Sequence, residues 1–236
     1  MSLITRKIKL ILVAGARPNF MKIAPIIRAI KSHNLNSETI IDPILVHTGQ
    51  HYDPNMSSAF FSDLGIPEPD YYLNCGGGYH AQQTAAIMLE FEKLCVSKKL
   101  DIVLVVGDVN STIAAGLVAK KLQITLAHVE AGLRSGDRSM PEEINRLATD
   151  AISDIFFTTE KSANINLLKE GHSKNSIHFV GHVMIDNLFY QLEKMNNYTP
   201  SGIVAKTKDN LPEKYFCTTL HRPANVDNKH NLSNLI

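Results

Sequence analysis

The chain alternates between short apolar runs, many of them rich in β-branched residues, and longer amphipathic stretches. The short runs predict β-strands at residues 8–14, 40–47, 102–106, 124–129, 155–158 and 177–180. The longer stretches predict helices, most clearly at residues 18–32, 79–98, 110–121, 141–152, 160–170 and 183–195. Apolar strands separated by helices are typical of βαβ units. The sequence therefore predicts an α/β fold in which helices cover both faces of a parallel sheet.

The composition of the chain changes after the last of these helices. The segment from Asn196 to Pro212 is polar and has no clear hydrophobic period, so it is interpreted as a linker. Residues 214–221 then predict the first strand of another domain, and the chain ends at Ile236 inside a predicted helix. A strand and part of a helix cannot form an independent core. The predicted organisation is a complete domain over residues 1–196, a linker over 197–213 and an incomplete second domain over 214–236.

Charge and cysteine content disfavour several classes of protein. With 24 Lys and Arg against 23 Asp and Glu, the net charge is +1, so no overall field favours nucleic acid or an anionic membrane as a partner. The 3 cysteines lack CxxC spacing and suggest neither a disulfide framework nor a zinc site. No apolar run near the start is long enough for a membrane span, and no signal peptide is recognised. A cytoplasmic protein is therefore expected.

Polar residues follow several of the predicted strands, at the edge where open parallel sheets bind ligands. After the first strand, Arg17 and Lys22 flank the start of a helix, whose amides and dipole favour an anion. Because an arginine can bind phosphate oxygens through two donors, a diphosphate or phosphosugar is the natural ligand. The alternative is an exposed pair of surface cations. The loop has neither the GxxxxGK[ST] nor the GxGxxG pattern, which disfavours nucleotide hydrolysis and NAD binding.

Acidic residues in the later loops are candidates for proton transfer. Asp108 follows an apolar strand and a glycine, where an acid is either exposed in a cleft or paired, and the alternative is that it caps the next helix. Glu130 ends another apolar strand, and glutamate is not a preferred capping residue. Glu142 opens a helix beside Glu143, where the helix dipole alone favours acids. Because arginines, including Arg146, are interspersed with these acids, the loops suit elimination of an anionic group from a phosphorylated sugar.

Histidines give weaker indications. His47 and His51 lie in a predicted loop without an HExxH pattern, so no metal site is predicted. His128 lies near the end of a predicted strand and is interpreted as a histidine with satisfied hydrogen bonds in the core or at the sheet edge. His221 follows the last predicted strand, beside Arg222, and is placed to face the same cleft from across the linker.

The order and approximate spacing of several segments resemble those of the UDP-N-acetylglucosamine 2-epimerase family. These segments are GARPNFMKIAP, TGQHYD, VVGDVNST, HVEAGLRS, MPEEINR and TLHRPANVD. The most specific part is HVEAGLR followed closely by PEEINR, and the resemblance extends over the whole chain. It implies a GT-B-type fold with two Rossmann-like domains. This chain would form the N-terminal, sugar-side half, as a doubly wound parallel sheet, and only the start of the nucleotide-binding half.

The resemblance also implies an activity and its residues. Members interconvert UDP-GlcNAc and UDP-ManNAc, precursors of cell-surface polysaccharides, by eliminating and re-adding UDP without NAD or a metal. The residues that match catalytic positions are Asp108, Glu130, Glu142 and His221. Those that match substrate-binding positions are Arg17, Lys22, Arg146 and Arg222. A homodimer of the full-length protein is implied as well, and little activity is expected of this chain alone because half of the cleft is nearly absent.

Other functions stay open alongside this one. Three alternatives keep an enzyme but change its reaction. They are hydrolysis that releases UDP and ManNAc, epimerisation of a modified diacetamido-uronate sugar, and transfer of a glycosyl group. A glycosyltransferase would not need Asp108, Glu130 and Glu142 together, so these carboxylates favour the epimerase. A further alternative is a non-catalytic binding fragment with an exposed apolar face.

Overall fold

The computed structural model of the chain describes residues 6–49, 58–199, 202–220 and 223–236, in which strands and helices alternate. The strands are β1 (Lys7–Ala14), β2 (Ile40–His47), β3 (Tyr71–Tyr72), β4 (Ile102–Val106), β5 (Thr125–Val129), β6 (Ile155–Thr158) and β7 (Ile177–Phe179). The helices are α1 (Arg17–Asn36), α2 (Ser58–Leu64), α3 (His80–Ser97), α4 (Asn110–Lys121), α5 (Pro141–Ile152), α6 (Lys161–Lys169), α7 (Val183–Asn196), α8 (Gly202–Asp209), α9 (Pro223–Val226) and α10 (Lys229–Leu235). Across these ranges, no helix combines the length and the apolar character needed to cross a membrane.

The strands described above pair in parallel in one sheet, in the order β3-β2-β1-β4-β5-β6-β7. The chain adds β2 and β3 on one side of β1 and then continues from β4 on the other side. The carboxyl ends of β1 and β4 therefore lie at a topological switch point, where a crevice opens in sheets of this kind. The prediction of a doubly wound parallel α/β sheet is confirmed.

Helices pack on both faces of the sheet, which explains why the central strands are apolar throughout. Successive side chains of a strand point to opposite faces. Accordingly, Leu12 of β1 packs in a cluster with Phe20 of α1, whereas Ile11 packs in the opposite cluster with Phe91 of α3. Each of these side chains is fully buried, and burial of a side chain of this size contributes about 2 kcal/mol. The rigid centre of the sheet supports the loops at its carboxyl edge.

The chain divides into two compact units, Met1–Glu193 and Lys194–Ile236. In the second unit, α8 lies within the span predicted as a linker, and the limits of that linker stay predictions. The strand predicted at residues 214–221 is wrong over the described residues 214–220, which form neither helix nor strand. A strand needs a neighbour for its backbone hydrogen bonds, and no strand is present among the described residues of this unit. Phe216, in the middle of this apolar run, is fully exposed.

Candidate functional site

The loops at the carboxyl ends of β1, β4 and β5 contain most of the residues predicted to bind or convert a substrate. These are Arg17 and Lys22 in α1, Asp108 after β4, Glu130 after β5, and Glu142 and Arg146 in α5. Because parallel strands end at the same edge of the sheet, the sheet order brings these distant segments together. His221 and Arg222 lie outside the described residues, so their roles in the site stay predictions.

Lys22 and Glu130 form an ion pair at this edge. The Lys22 Nζ lies 2.5 Å from the Glu130 Oε2, and the two side chains are only 14% and 9% exposed. Glu130 has a φ of +68°, a left-handed conformation that glutamate rarely adopts and that surrounding contacts must hold. Its amide donates to the carbonyl of Phe157 in β6, at 3.0 Å. A predicted phosphate-binding cation thus neutralises a predicted catalytic carboxylate.

Asp108 and Arg146 form a second ion pair beside the first. The Arg146 Nη2 donates to the Asp108 Oδ2, while Nη1 donates to the Glu143 Oε2 at 2.8 Å. The alternative in which Asp108 caps the following helix is wrong, because Val109 occupies the cap position of α4 and no side-chain cap bond is made. The carboxylate of Asp108 is instead oriented by the guanidinium group.

Adjacent glutamates at the start of α5 have different environments. Glu143 is only 2% exposed and accepts hydrogen bonds from the backbone amides of Ser135 and Gly136, at 3.0 and 3.1 Å. Burial raises the pKa of the Glu143 carboxyl, but these amide bonds and Arg146 outweigh it and hold the pKa below its ordinary value. Glu143 therefore fixes the loop before α5, whereas Glu142 lines an open cavity with Asp108.

That cavity has a volume of about 460 Å³ and a wall of amide side chains. The Asn145 Nδ2 donates to the carbonyl of Asp108 at 2.9 Å, and the Asn110 Nδ2 donates to the Gln83 Oε1 at 2.8 Å. Gln83, Asn110 and Asn145 were not predicted as site residues. Asn110 and Asn145 belong to the GDVNST and PEEINR segments and could have been found there, whereas Gln83 of α3 carried no such signal.

At the amino end of α1, a side chain of the helix binds the two backbone amides that precede it. The Asn19 Oδ1 accepts from the amides of Gly15 and Ala16, at 3.1 and 2.8 Å, so these donors are already engaged. Arg17 is exposed, with its guanidinium carbon 5.1 Å from the centre of the Phe60 ring. Binding of an anion by Arg17, Lys22 and the first turn of α1 stays a prediction.

His47, at the end of β2, is a buried aromatic residue. Its ring packs edge-on against Phe20 and Tyr72, with ring centres 5.2 and 5.7 Å away. Burial lowers the pKa of the His47 imidazole. His51 lies outside the described residues. In the part of the chain that the structure describes, no three His, Cys, Asp or Glu side chains are arranged to hold a metal ion.

His128 and Asp150 lie directly beneath the loops of the site, and both side chains are completely buried. The prediction that His128 has satisfied hydrogen bonds is confirmed, because Nδ1 lies 2.7 Å from the Asp150 Oδ1 and Nε2 lies 2.8 Å from the carbonyl oxygen of Gly107. Burial raises the pKa of the Asp150 carboxyl, but hydrogen bonds from His128 and Gly132, together with the charges of His128 and Arg134, hold it below its ordinary value.

Sequence comparisons match this chain to 2-epimerases of UDP-linked sugars. The family model described as UDP-N-acetylglucosamine 2-epimerase matches residues 33–236. A Methanocaldococcus jannaschii protein named UDP-N-acetylglucosamine 2-epimerase is 44% identical over 233 residues, which are 97% of this chain and 60% of that protein. A Pseudomonas aeruginosa protein named UDP-2,3-diacetamido-2,3-dideoxy-D-glucuronate 2-epimerase is 40% identical over 230 residues, 97% of this chain and 61% of that protein.

A solved structure agrees with the sequence comparisons. The crystal structure of Methanocaldococcus jannaschii UDP-GlcNAc 2-epimerase in complex with UDP-GlcNAc and UDP matches this chain with a TM-score of 0.84 and 44% identity. The match covers 97% of this chain and 60% of that one. The chain therefore spans about 60% of the length of the curated relatives named here.

Proposed function

This chain belongs to the UDP-N-acetylglucosamine 2-epimerase family of isomerases, and on that premise we propose that it forms the sugar-binding part of an enzyme that inverts C2 of a UDP-linked N-acetylhexosamine. The proposed substrates are UDP-GlcNAc and UDP-ManNAc. The observation that carries the proposal is the pairing of Lys22 with Glu130 and of Arg146 with Asp108, beside a cavity that Glu142 also lines. This arrangement supports the proposal because cations and carboxylates lie together at one edge of the sheet.

The proposed reaction has two halves that mirror each other. A carboxylate removes the C2 proton while the bond between C1 and the UDP oxygen breaks, and the electron pair of that bond leaves with UDP. The resulting 2-acetamidoglucal has a double bond between C1 and C2. UDP then adds back to C1 while a proton is delivered to the other face of C2. Because the C2 proton is weakly acidic, its removal must be coupled to the departure of a stabilised anion.

We assign these steps to residues at the sheet edge. Proton transfer is assigned to Asp108, Glu130 and Glu142, and stabilisation of the diphosphate to Arg17, Lys22 and Arg146. A diphosphate that binds Lys22 and Arg146 competes with the carboxylates that these cations contact. Substrate binding would thus free oxygens of Glu130 and Asp108 to contact the sugar.

The proposal extends to two residues between α8 and α9 in the sequence. His221 and Arg222, which lie outside the described residues, are proposed to act on the substrate from the second domain. Because the relatives are longer than this chain, we expect the 236-residue chain alone to turn over little substrate. A homodimer in the cytoplasm is the proposed state of the complete enzyme, and light scattering tests the dimer.

A second candidate is the same inversion at C2 of a diacetamido-glucuronate sugar. The Pseudomonas aeruginosa relative of that name is 40% identical to this chain, close to the 44% of the Methanocaldococcus jannaschii relative. The two candidates share the carboxylates and cations of the sheet edge and differ in the sugar that is recognised. Hydrolysis and a purely binding role are the remaining alternatives, and analysis of the products separates them.

Deuterium incorporation at C2 tests the proposal. We would join this chain to the remaining two fifths of the Methanocaldococcus jannaschii protein, of which it covers 60%, and incubate the chimera with UDP-GlcNAc in deuterated water. We expect deuterium at C2 and formation of UDP-ManNAc, and much less of both with the chain alone. D108N, E130Q and E142Q in the chimera should each lower the rate of incorporation by about 100-fold or more.

Asp154 provides a matched control for these substitutions. It pairs with Lys120 and accepts from the amide of Leu126, at the amino end of β5 and away from the site. D154N in the chimera should keep the rate within about twofold, as expected of a surface position remote from the site. A folded chimera without incorporation would contradict the proposed function. If the product is free ManNAc, the reaction is hydrolysis and not epimerisation alone. If only the diacetamido-glucuronate sugar reacts, the second candidate function is favoured.

A further inference from the structure

A buried histidine and a buried aspartate connect the two loops that present Asp108 and Glu130. His128 lies in β5 and Asp150 in α5, and neither side chain is exposed. The Nδ1 of the ring faces the Asp150 Oδ1 at 2.7 Å, and Nε2 faces the carbonyl oxygen of Gly107 at 2.8 Å. A neutral imidazole has a single N–H. Since both ring nitrogens face oxygen acceptors, the imidazolium form, which donates from both, satisfies every contact.

The surroundings of Asp150 favour its ionised form. Its Oδ2 accepts from the amide of Gly132 at 2.9 Å and lies 2.7 Å from the Nη1 of Arg134. A guanidinium group is always charged, so it stabilises a carboxylate rather than a neutral acid. Arg134 also forms two bonds to Glu170, at 2.8 and 2.5 Å. With an imidazolium at His128, this cluster contains two cations, His128 and Arg134, and two anions, Asp150 and Glu170. The charge of the buried imidazolium ion is therefore balanced.

His128 and Asp150 each form a hydrogen bond with the backbone of one of the two loops of the site. Gly107 directly precedes Asp108, and Gly132 follows Glu130 by two residues. Gly107, Glu130 and Gly132 all have left-handed backbone conformations, with φ of +68°, +68° and +78°. Such turns persist when the surrounding structure determines them. His128 binds the carbonyl oxygen of Gly107 in the first turn, and Asp150 binds the amide of Gly132 in the second turn.

We propose that His128 and Asp150 are positioning residues, an imidazolium–carboxylate clamp that fixes the turn of Asp108 relative to the turn of Glu130. The proposal rests on the proposed function only in treating Asp108 and Glu130 as the carboxylates of the reaction. The clamp acts through the backbone and touches no substrate. Its directional, charged hydrogen bonds define the separation of the two turns more narrowly than apolar packing of the same volume would.

Asp154 again offers a matched control, because it makes the same kinds of contact at the opposite end of the strand. Its Oδ2 accepts from the amide of Leu126 at 2.8 Å, and its Oδ1 pairs with Lys120 at 2.7 Å. D154N therefore removes a carboxylate bonded to a cation and a backbone amide without touching the turns of the site, whereas D150N removes one bonded to His128, Arg134 and the amide of Gly132.

The protonation of His128 is tested first, on the unaltered 236-residue chain labelled with ¹⁵N-histidine. Because both ring nitrogens face oxygen acceptors, we expect two slowly exchanging ring N–H protons on His128. D154N should keep both signals, and D150N should leave one. A single ring N–H in the unaltered chain would overturn the clamp, and this measurement does not depend on the folding of any variant.

Positioning is tested by amide hydrogen exchange in the same chain. H128Q and D150N should accelerate exchange or shift the amide signals at Asp108, Glu130 and Gly132, whereas D154N should do so at Leu126. A uniform effect along β5 in all three variants would mean general loosening of the strand and would overturn the proposal.

The consequence for catalysis is measured separately, in the chimera that carries the second domain. D150N should lower kcat by about 10-fold to 100-fold with KM nearly unchanged, because small displacements of catalytic groups reduce rates by such factors. An unchanged kcat in D150N overturns positioning. An inactive chimera contradicts the proposed function instead, while the ring N–H and exchange results still decide whether the clamp exists.

Discussion

At the scale of single residues, the cations and carboxylates of the site neutralise each other in pairs. Lys22 was expected to bind an anion and Glu130 to transfer a proton, but nothing in the sequence indicated that their side chains contact each other. The pair is largely withdrawn from solvent, with exposures of 14% and 9%. A buried charge without its partner is strongly destabilising. The two side chains should therefore depend on each other for the stability of the chain.

A double-mutant cycle on Lys22 and Glu130 measures this dependence. K22M leaves a buried carboxylate without its cation, so it should destabilise the chain more than the double variant K22M/E130Q does. We expect a coupling free energy of about 2 kcal/mol from urea unfolding of the four proteins. K120M with D154N, an exposed pair, should show a coupling below about 1 kcal/mol. Additive effects at Lys22 and Glu130 would show that the pair is not formed in solution.

At the scale of elements, the turn after β5 is packed directly onto α6. Gly132 has a φ of +78°, and a Cβ placed there would lie 2.5 Å from the carbonyl oxygen of Ala163. The strand and helix boundaries were predicted within a few residues for β5 and α5 because they follow from local hydrophobic periodicity. This close approach was not predictable, because it depends on where α6 packs. The short elements α2 and β3 were also missed, since a helix of 7 residues or a strand of 2 carries little periodicity.

Gly136 provides the control that separates backbone strain from the close approach. Its φ is +75°, and no heavy atom beyond Gly136 and its two chain neighbours lies within 4 Å of the position that a Cβ would take. G136A should therefore destabilise the chain by about 1 kcal/mol, the cost of a left-handed alanine. G132A should cost about 3 kcal/mol, because α6 or the turn must also move. Equal losses in thermal stability for the two variants would contradict the packing of this turn on α6.

At the scale of the whole molecule, sheet order creates the site. β1, β4 and β5 are neighbours although their residues are far apart in the chain, and the loops that follow them meet at the switch point. The same order places Asp150 beneath these loops, where the hydrogen bonds and charges of its neighbours hold its pKa below the ordinary value. Global stability should therefore depend on pH through this residue.

The stability difference between the unaltered chain and D150N measures that dependence. The pKa of Asp150 in the folded chain lies below the value of about 3.9 in unfolded chains, so the carboxylate stabilises the fold above that pH. This stabilisation is lost as the pH falls through the folded value. We expect D150N to be less stable by about 3 kcal/mol near neutral pH. The difference should shrink below about pH 4 in a series of thermal unfolding curves.

Ionic strength provides the control for this measurement. Because Asp150 and His128 are fully buried, added salt should change the difference little, in contrast to a surface pair. A stability difference that stays constant from neutral to acidic pH would mean that Asp150 is not an ionised partner in the folded chain.

The sequence by itself determined the alternation of strands and helices, the parallel α/β class and the family, because hydrophobic periodicity and short motifs are local properties of the chain. It also pointed to Asp108, Glu130 and Arg146 as candidates. Only the tertiary structure decided which side chains contact each other. Lys22 and Glu130 are 108 positions apart, Asp108 and Arg146 are 38 apart, and His128 and Asp150 are 22 apart. The strand predicted at residues 214–221 was wrong over residues 214–220 for the same reason, since pairing depends on a neighbour that local pattern does not specify.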